Sequence, residues 1–224
     1  MNNYLNAEIT QFQQKMNGYL MLFNYRMMNL CVKAEPAALM PATIVLEDGS
    51  YNIEDVATVE KPDDYTFKVT PKNQNNMQAV VEGILDIHPE FKMEEQHEKN
   101  EFNEEVYSVM YTMPEVDKNR RDLLNETTKT FHKECIARLD AEYAAQTASF
   151  VNLLASAPDK EADEAKDAVK DIYDEAKDQA DDLLKAKMTE IEDAYQRYVE
   201  EEAQRKQKDN SGVYSMSMKW NQEE

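Results

Sequence analysis

Val106-Tyr107-Ser108-Val109-Met110-Tyr111-Thr112-Met113-Pro114-Glu115-Val116-Asp117-Lys118-Asn119-Arg120-Arg121-Asp122-Leu123-Leu124 is the stretch in which the chain changes character. Up to Tyr111 it is rich in β-branched and aromatic residues, which predicts a strand. Pro114 ends that regime. Asp117 then offers a carboxylate to the free N–H groups of a helix start. Ile136, Leu139, Tyr143, Phe150 and Leu153 continue at helical spacing. A sheet-bearing unit therefore lies upstream and a long helix downstream.

Upstream, residues 43 to 113 read as a compact α+β unit. Thr43-Ile44-Val45-Leu46 is apolar and β-branched, and Asp48-Gly49-Ser50 is a turn signal. Asp55 to Val59 extends. Tyr65, Phe67 and Val69 alternate with Thr66, Lys68 and Thr70, the pattern of a half-buried strand closed by Pro71. Met77, Val80, Val81, Ile84 and Leu85 fit one face of a short helix. The spacing predicts strands near 43–47, 55–60, 65–70 and 105–112, and a helix near 74–86. Residues 87 to 105 are densely charged and read as a surface excursion.

The first 34 residues carry a clean helical stripe: Leu5, Ile9, Phe12, Met16, Tyr19, Phe23, Met27 and Leu30. Beyond Pro158, which suits a helix start, Val169, Ile172, Ala176, Ala180, Leu183, Leu184, Met188, Ile191, Tyr195 and Tyr198 mark a third helix. No such helix buries its stripe alone, so the first must pair with the last two. The expected fold class is α+β. Residues 1–40 and 114–207 form a discontinuous three-helix bundle, 41–113 an inserted β-rich domain of sheet and helix, and 208–224 a loose tail. Two chain crossings, near 33–42 and 112–116, form a natural hinge.

The formal net charge of -20 opposes a broad nucleic-acid surface, which needs clustered Lys and Arg. It suits a basic partner or a simply solvated acidic exterior. Cys31 and Cys135 fall on apolar stripes, which predicts buried free thiols rather than a disulfide framework. No run of about 18 apolar residues is present, so no membrane span is expected. Met1-Asn2-Asn3-Tyr4 has no signal-like character, and the expected location is the cytoplasm.

The residues point away from catalysis. There is no Gly-rich phosphate loop and no paired-cysteine zinc spacing. His132 and Cys135 lie three apart on one helix but lack a second pair. His88 and His97 fall in the charged excursion and read as solvated. Asp178-Gln179-Ala180-Asp181-Asp182 lacks a calcium-loop pattern. The methionines sit mostly on the stripes and read as core filling. The expectation is no enzyme, no cofactor and no metal.

Several segments, in order, resemble the ribosome recycling factor family. Ile44 to Gly49 resembles its first insert strand and glycine turn, and Ile53 to Val59 its following segment. Tyr65 to Pro71 is similar to its next strand, and Met77 to Leu85 sits where that family has a helix. Pro114 to Leu123, with Arg120-Arg121, resembles its hallmark proline-to-arginine-pair segment. The resemblance spans residues 5 to 200. It implies a translation factor that splits the post-termination ribosome together with elongation factor G, its bundle laid across large-subunit ribosomal RNA. The residues it marks as RNA-contacting are Lys33, Arg120, Arg121 and Arg138. Arg120 and Arg121 also read as simple anchors of the helix start.

The sequence departs from that family where RNA contacts are concentrated. The end of the first helix reads Leu30-Cys31-Val32-Lys33-Ala34-Glu35-Pro36, with one of two arginines replaced by Leu30 and a glycine by Val32. The arginine cluster of the second helix is reduced to Arg138. From Asp159 to Gln207 there are 17 acidic and 9 basic residues, a net of -8. A second reading follows: an acidic paralogue that no longer binds ribosomal RNA and acts as a protein-interaction module, with a basic protein as partner.

Overall fold

Helix α1, Asn3–Met28, buries Leu5, Phe12, Met16, Leu20, Phe23 and Met27. That seam is covered from two sides, by α4 (Lys118–Leu154) and α5 (Asp159–Trp220). The computed structural model describes the backbone of residues 3–99, 103, 105–155 and 157–220, and their side chains except at 152 and 209–220. Helix α5 presents a run of small side chains to the seam: Ala162, Ala165, Val169, Ala176 and Ala180 are all buried. Small residues let the helix axes approach while the bulk comes from α1 and from Cys135, Leu139 and Phe150 of α4.

The helix starts follow from local chemistry. The Asp117 carboxylate accepts the Arg120 backbone N–H at 2.7 Å, capping α4 as its sequence predicts. Helix α5 begins after Pro158, with Asp159 and Glu161 in its first turn, where carboxylates favour the positive end of the helix dipole. At 62 residues it is about 93 Å long, against about 56 Å for the 37 residues of α4.

Two expectations for the helices need correction. The loose tail expected from residue 208 is helix as far as Trp220, and its one glycine, Gly212, costs a helix only about 1 kcal/mol. Any docking of Val213, Tyr214, Met216, Met218 and Trp220 lies outside the described residues, as do residues 221–224. Helix α1 stops at Met28 rather than near 34. There Leu30 N–H and Cys31 N–H turn back to Met27 and Met28 carbonyls, and Cys31 adopts a left-handed φ of 49°.

The insert comprises β1 (Thr43–Leu46), β2 (Gly49–Asn52), a single turn α2 (Ile53–Val56), β3 (Ala57–Asp63), β4 (Thr66–Pro71), α3 (Met77–Ile87), β5 (Lys92–Lys99) and β6 (Glu105–Thr112). β1 and β2 form a hairpin, and the other four strands an antiparallel sheet in the order β3-β4-β6-β5. Central strand β4 buries Phe67, Val69 and Pro71 on one face, which is the alternation legible in its sequence. Val80 and Ile84 of α3 close over that core. At Gly83 the helix meets β1 so closely that a Cβ would lie 2.6 Å from Ile44 Cδ1 and 2.8 Å from the Thr43 carbonyl oxygen.

Both outer strands carry features that resist further pairing. Pro62 sits where the β3–β4 register is irregular, between Glu60 and Asp63. Strand β5 is charged along its length and pairs with β6 from Lys92↔Thr112 to Lys99↔Glu105. The expected surface excursion at 87–105 therefore contains a strand; residues 100–102 and 104 of it lie outside the described residues. The strand expected at 55–60 is present as β3, starting at Ala57 because residues 53–56 form a helical turn, and β2, which pairs with β1, is a strand beyond those expected.

Candidate functional site at the bundle–insert junction

Two crossings connect the bundle to the insert, and both are tied to the β3–β4 turn. In the first, Ala34 N–H donates to the Asp64 carbonyl at 2.8 Å. In the second, Met113 N–H donates to the Tyr65 carbonyl at 2.8 Å. A small apolar cluster sits between them: Val32, Val116, Leu124, Ile191 and Ala194, flanked by Leu30, Tyr65 and Tyr195. Helix α5 reaches over this turn, its Arg197 guanidinium 3.4 Å from the centre of the Tyr65 ring. Arg205 of α5 donates to Glu115 at 3.0 Å, and Lys92 approaches the same carboxylate at 3.8 Å. The Arg205 hydrogen bond holds the Glu115 carboxyl below its usual value, against some opposing burial.

Three of the four candidate RNA-contacting residues meet at this junction. Lys33 lies 3.7 Å from Asp64, which also takes Lys61 at 3.0 Å. Arg121 forks onto Asp122 and lies 4.3 Å over the Tyr195 ring. Arg120 is half-buried, and its Nε has no hydrogen-bond partner among the described residues. Arg138 follows Arg120 by 18 positions on the same side of α4, about 27 Å farther along the axis. It is exposed.

Two solved structures superpose on this arrangement. A solution structure of the ribosome recycling factor aligns with TM-score 0.66 and 16% identity, over 86% of this chain and all of that one. The second is described as models for the T. thermophilus ribosome recycling factor and the E. coli elongation factor G bound to the E. coli post-termination complex. It aligns with TM-score 0.56 and 20% identity, over 84% of this chain and 98% of that one. The chain has the ribosome recycling factor fold. No family model and no curated protein sequence matches it.

On this recycling-factor scaffold, much of the positive charge of α1 and α4 is spent internally. Lys15 is held by Glu142 at 2.7 Å. Arg26 pairs with Glu134 while stacking 3.8 Å from the Phe131 ring centre. Exposed Lys129 and Lys133 make no ion pair among the described residues, but they fall about 180° and 140° around α4 from Arg138. The basic side chains of α4 therefore do not converge on one face. No helix among the described residues is long and apolar enough to cross a membrane.

Three histidine and cysteine expectations meet different outcomes. His132 and Cys135 do not share a site: His132 Nε2 is 2.7 Å from Asp181, and Cys135 Sγ faces the Tyr19 carbonyl at 4.0 Å. Both thiols are buried and free, as expected, and burial pushes Cys135 up to about 11. His97 is exposed and meets Tyr107 edge-on. His88, expected to be solvated, is instead 6% exposed and stacks on Phe91 at 4.5 Å. The role of Tyr65, Tyr195 and Arg197 at the junction carried no local sequence signal.

Proposed function

We propose that this chain is a non-catalytic, cytoplasmic translation factor that engages the ribosome in the manner of a recycling factor. In this reading the bundle lies against large-subunit ribosomal RNA and the insert turns about its two crossings when a translocase of the elongation factor G type pushes on it. One observation carries it: the chain reproduces the whole length of the recycling-factor fold, including an insert mounted on two short crossings. Lys33, Arg120, Arg121 and Arg138 supply the phosphate contacts. With so few contacts and a net charge of -20, binding is weak and salt-sensitive.

Co-sedimentation of the purified protein with ribosomes at low and moderate salt tests this. Binding is expected at low salt, lost as salt rises, and abolished by changing Arg120, Arg121 and Arg138 together to Glu. Tight binding that survives both changes refutes the electrostatic account.

The second reading, an acidic paralogue that has left the ribosome for a basic protein partner, is favoured by the internal pairing of Lys15 and Arg26 and by the acidic α5. Absence of sedimentation at every salt concentration supports it.

A further inference from the structure

Helix α1 carries a second stripe, opposite the one it buries. Ala7, Gln11, Gln14, Gly18, Met21 and Tyr25 recur at alternating steps of four and three, and all six are exposed. That is the spacing of a seam along which one helix packs on another. Met21 is 73% exposed, and Leu22 beside it 42%. Helices α4 and α5 pack against α1 from the other side.

The stripe is uncharged on a strongly acidic chain. Acidic residues make up 45 of 224, a rate that places about five in 26 residues, yet none occurs from Ile9 to Ala34. Among the exposed side chains of α1, Lys15 alone is charged, and Glu142 of α4 holds it at the flank. Arg26 on the same flank is held by Glu134. A basic partner gains its attraction from carboxylates, and this face offers none. It is instead a surface along which two molecules of charge -20 can approach, because facing like charges are what oppose association. A second copy brings the same uncharged stripe.

The relief of the stripe is self-complementary. Nothing lies within 4 Å of the place a Gly18 side chain would occupy, so the fold itself leaves room for one. Glycine inside a helix disfavours that helix. Here it opens a gap two turns before the Tyr25 ring, with Leu22 between them. A two-fold axis at Leu22 seats Tyr25 of each copy in the Gly18 gap of the other and sets Leu22 against Leu22. Helices related in this way run antiparallel, which sends the two inserts to opposite ends.

We propose that a second copy of this chain docks on the outer face of α1, giving an antiparallel pair centred on Leu22. At 26 residues α1 is about 39 Å long and about 10 Å wide, so each copy contributes a strip of about 400 Å². Twice that area falls below the roughly 1,200 Å² at which stable interfaces begin. The pair is therefore transient and forms as concentration rises.

Sedimentation velocity of the full-length chain across about 1 µM to 1 mM is the test. The sedimentation coefficient should climb from the monomer value toward the dimer value. Added salt should strengthen the pair, because it screens the repulsion between the two acidic chains; its effect on ribosome binding is the reverse. Leu22→Glu should abolish self-association with the far-ultraviolet circular dichroism unchanged. An equal mixture of Leu22→Glu and Leu22→Lys should restore it, because this residue faces its own counterpart across the axis. Gly18→Gln should fill the gap and weaken the pair roughly tenfold, while raising the melting temperature of the dilute chain, since glutamine favours a helix. A chain that stays monomeric to about 1 mM overturns the proposal and assigns the stripe to a helix of another protein. A dimer that survives Leu22→Glu, that Gly18→Gln leaves undiminished, or that salt dissociates overturns it too. A mixture of the two charge variants that stays monomeric overturns the two-fold axis at Leu22.

Discussion

Replacing Glu134 and Glu142 together by Gln should strengthen ribosome binding and steepen its salt dependence. These carboxylates hold Arg26 and Lys15 on the outer surface of α1 and α4. Exposed pairs of this kind contribute about 0–1 kcal/mol each, so the double variant loses at most about 2 kcal/mol and stays folded. The Tyr19 hydroxyl now donates to Glu142 at 3.4 Å, and the amide oxygen introduced by Glu142→Gln can still accept that bond. The net charge moves from -20 to -18, since two carboxylates are removed. Each released cation that meets a phosphate adds about 0.7–0.9 to the slope of log affinity against log salt. Two add about 1.6, so a fourfold rise in salt costs roughly a further tenfold in affinity. Quantitative co-sedimentation of wild-type and variant protein across a salt series measures both terms. An unchanged slope and unchanged low-salt affinity would show that this face meets no nucleic acid, and would refute internal ion pairing as the cause of weak binding.

Other expectations concern the insert and its mount. Tyr111 is fully buried and its hydroxyl has no partner among the described residues, so Tyr111→Phe should stabilise by about 1 kcal/mol. That corresponds to a melting shift of about +2–4 °C for a chain of this size, and a lower melting temperature would contradict it. Gly83→Ala should destabilise by about 1–3 kcal/mol in chemical denaturation, because the new methyl meets the Thr43 carbonyl as well as Ile44. The depressed Glu115 carboxyl contributes to stability above its usual value of 4.5, and that contribution is lost as pH falls through the lowered one. Arg205→Ala should move its titration upward toward 4.5, read by carboxyl NMR.

The elements that local pattern determines were legible in the sequence. The apolar stripe from Leu5 to Met27, the alternation of Phe67 and Val69, and the Asp117 cap each depend on neighbours within a turn or two of chain, so residue order alone predicts them. Their order, with a β-rich unit between the first helix and the last two, also carried the resemblance to the recycling-factor fold. Strand β5 was hidden because its side chains face solvent and its existence rests on backbone pairing with β6. The full reach of α5 was hidden because the apolar stripe read from the sequence ends at Tyr198, whereas the helix runs on to Trp220 and tolerates Gly212 at small cost. What tertiary structure alone decided is the fate of the charges and the polar core. Lys15 and Glu142 are 127 residues apart, and Cys31 and His88 are 57 apart. No periodicity relates such pairs, because the distance between them is set by helix packing and by the two crossings rather than by the chain between.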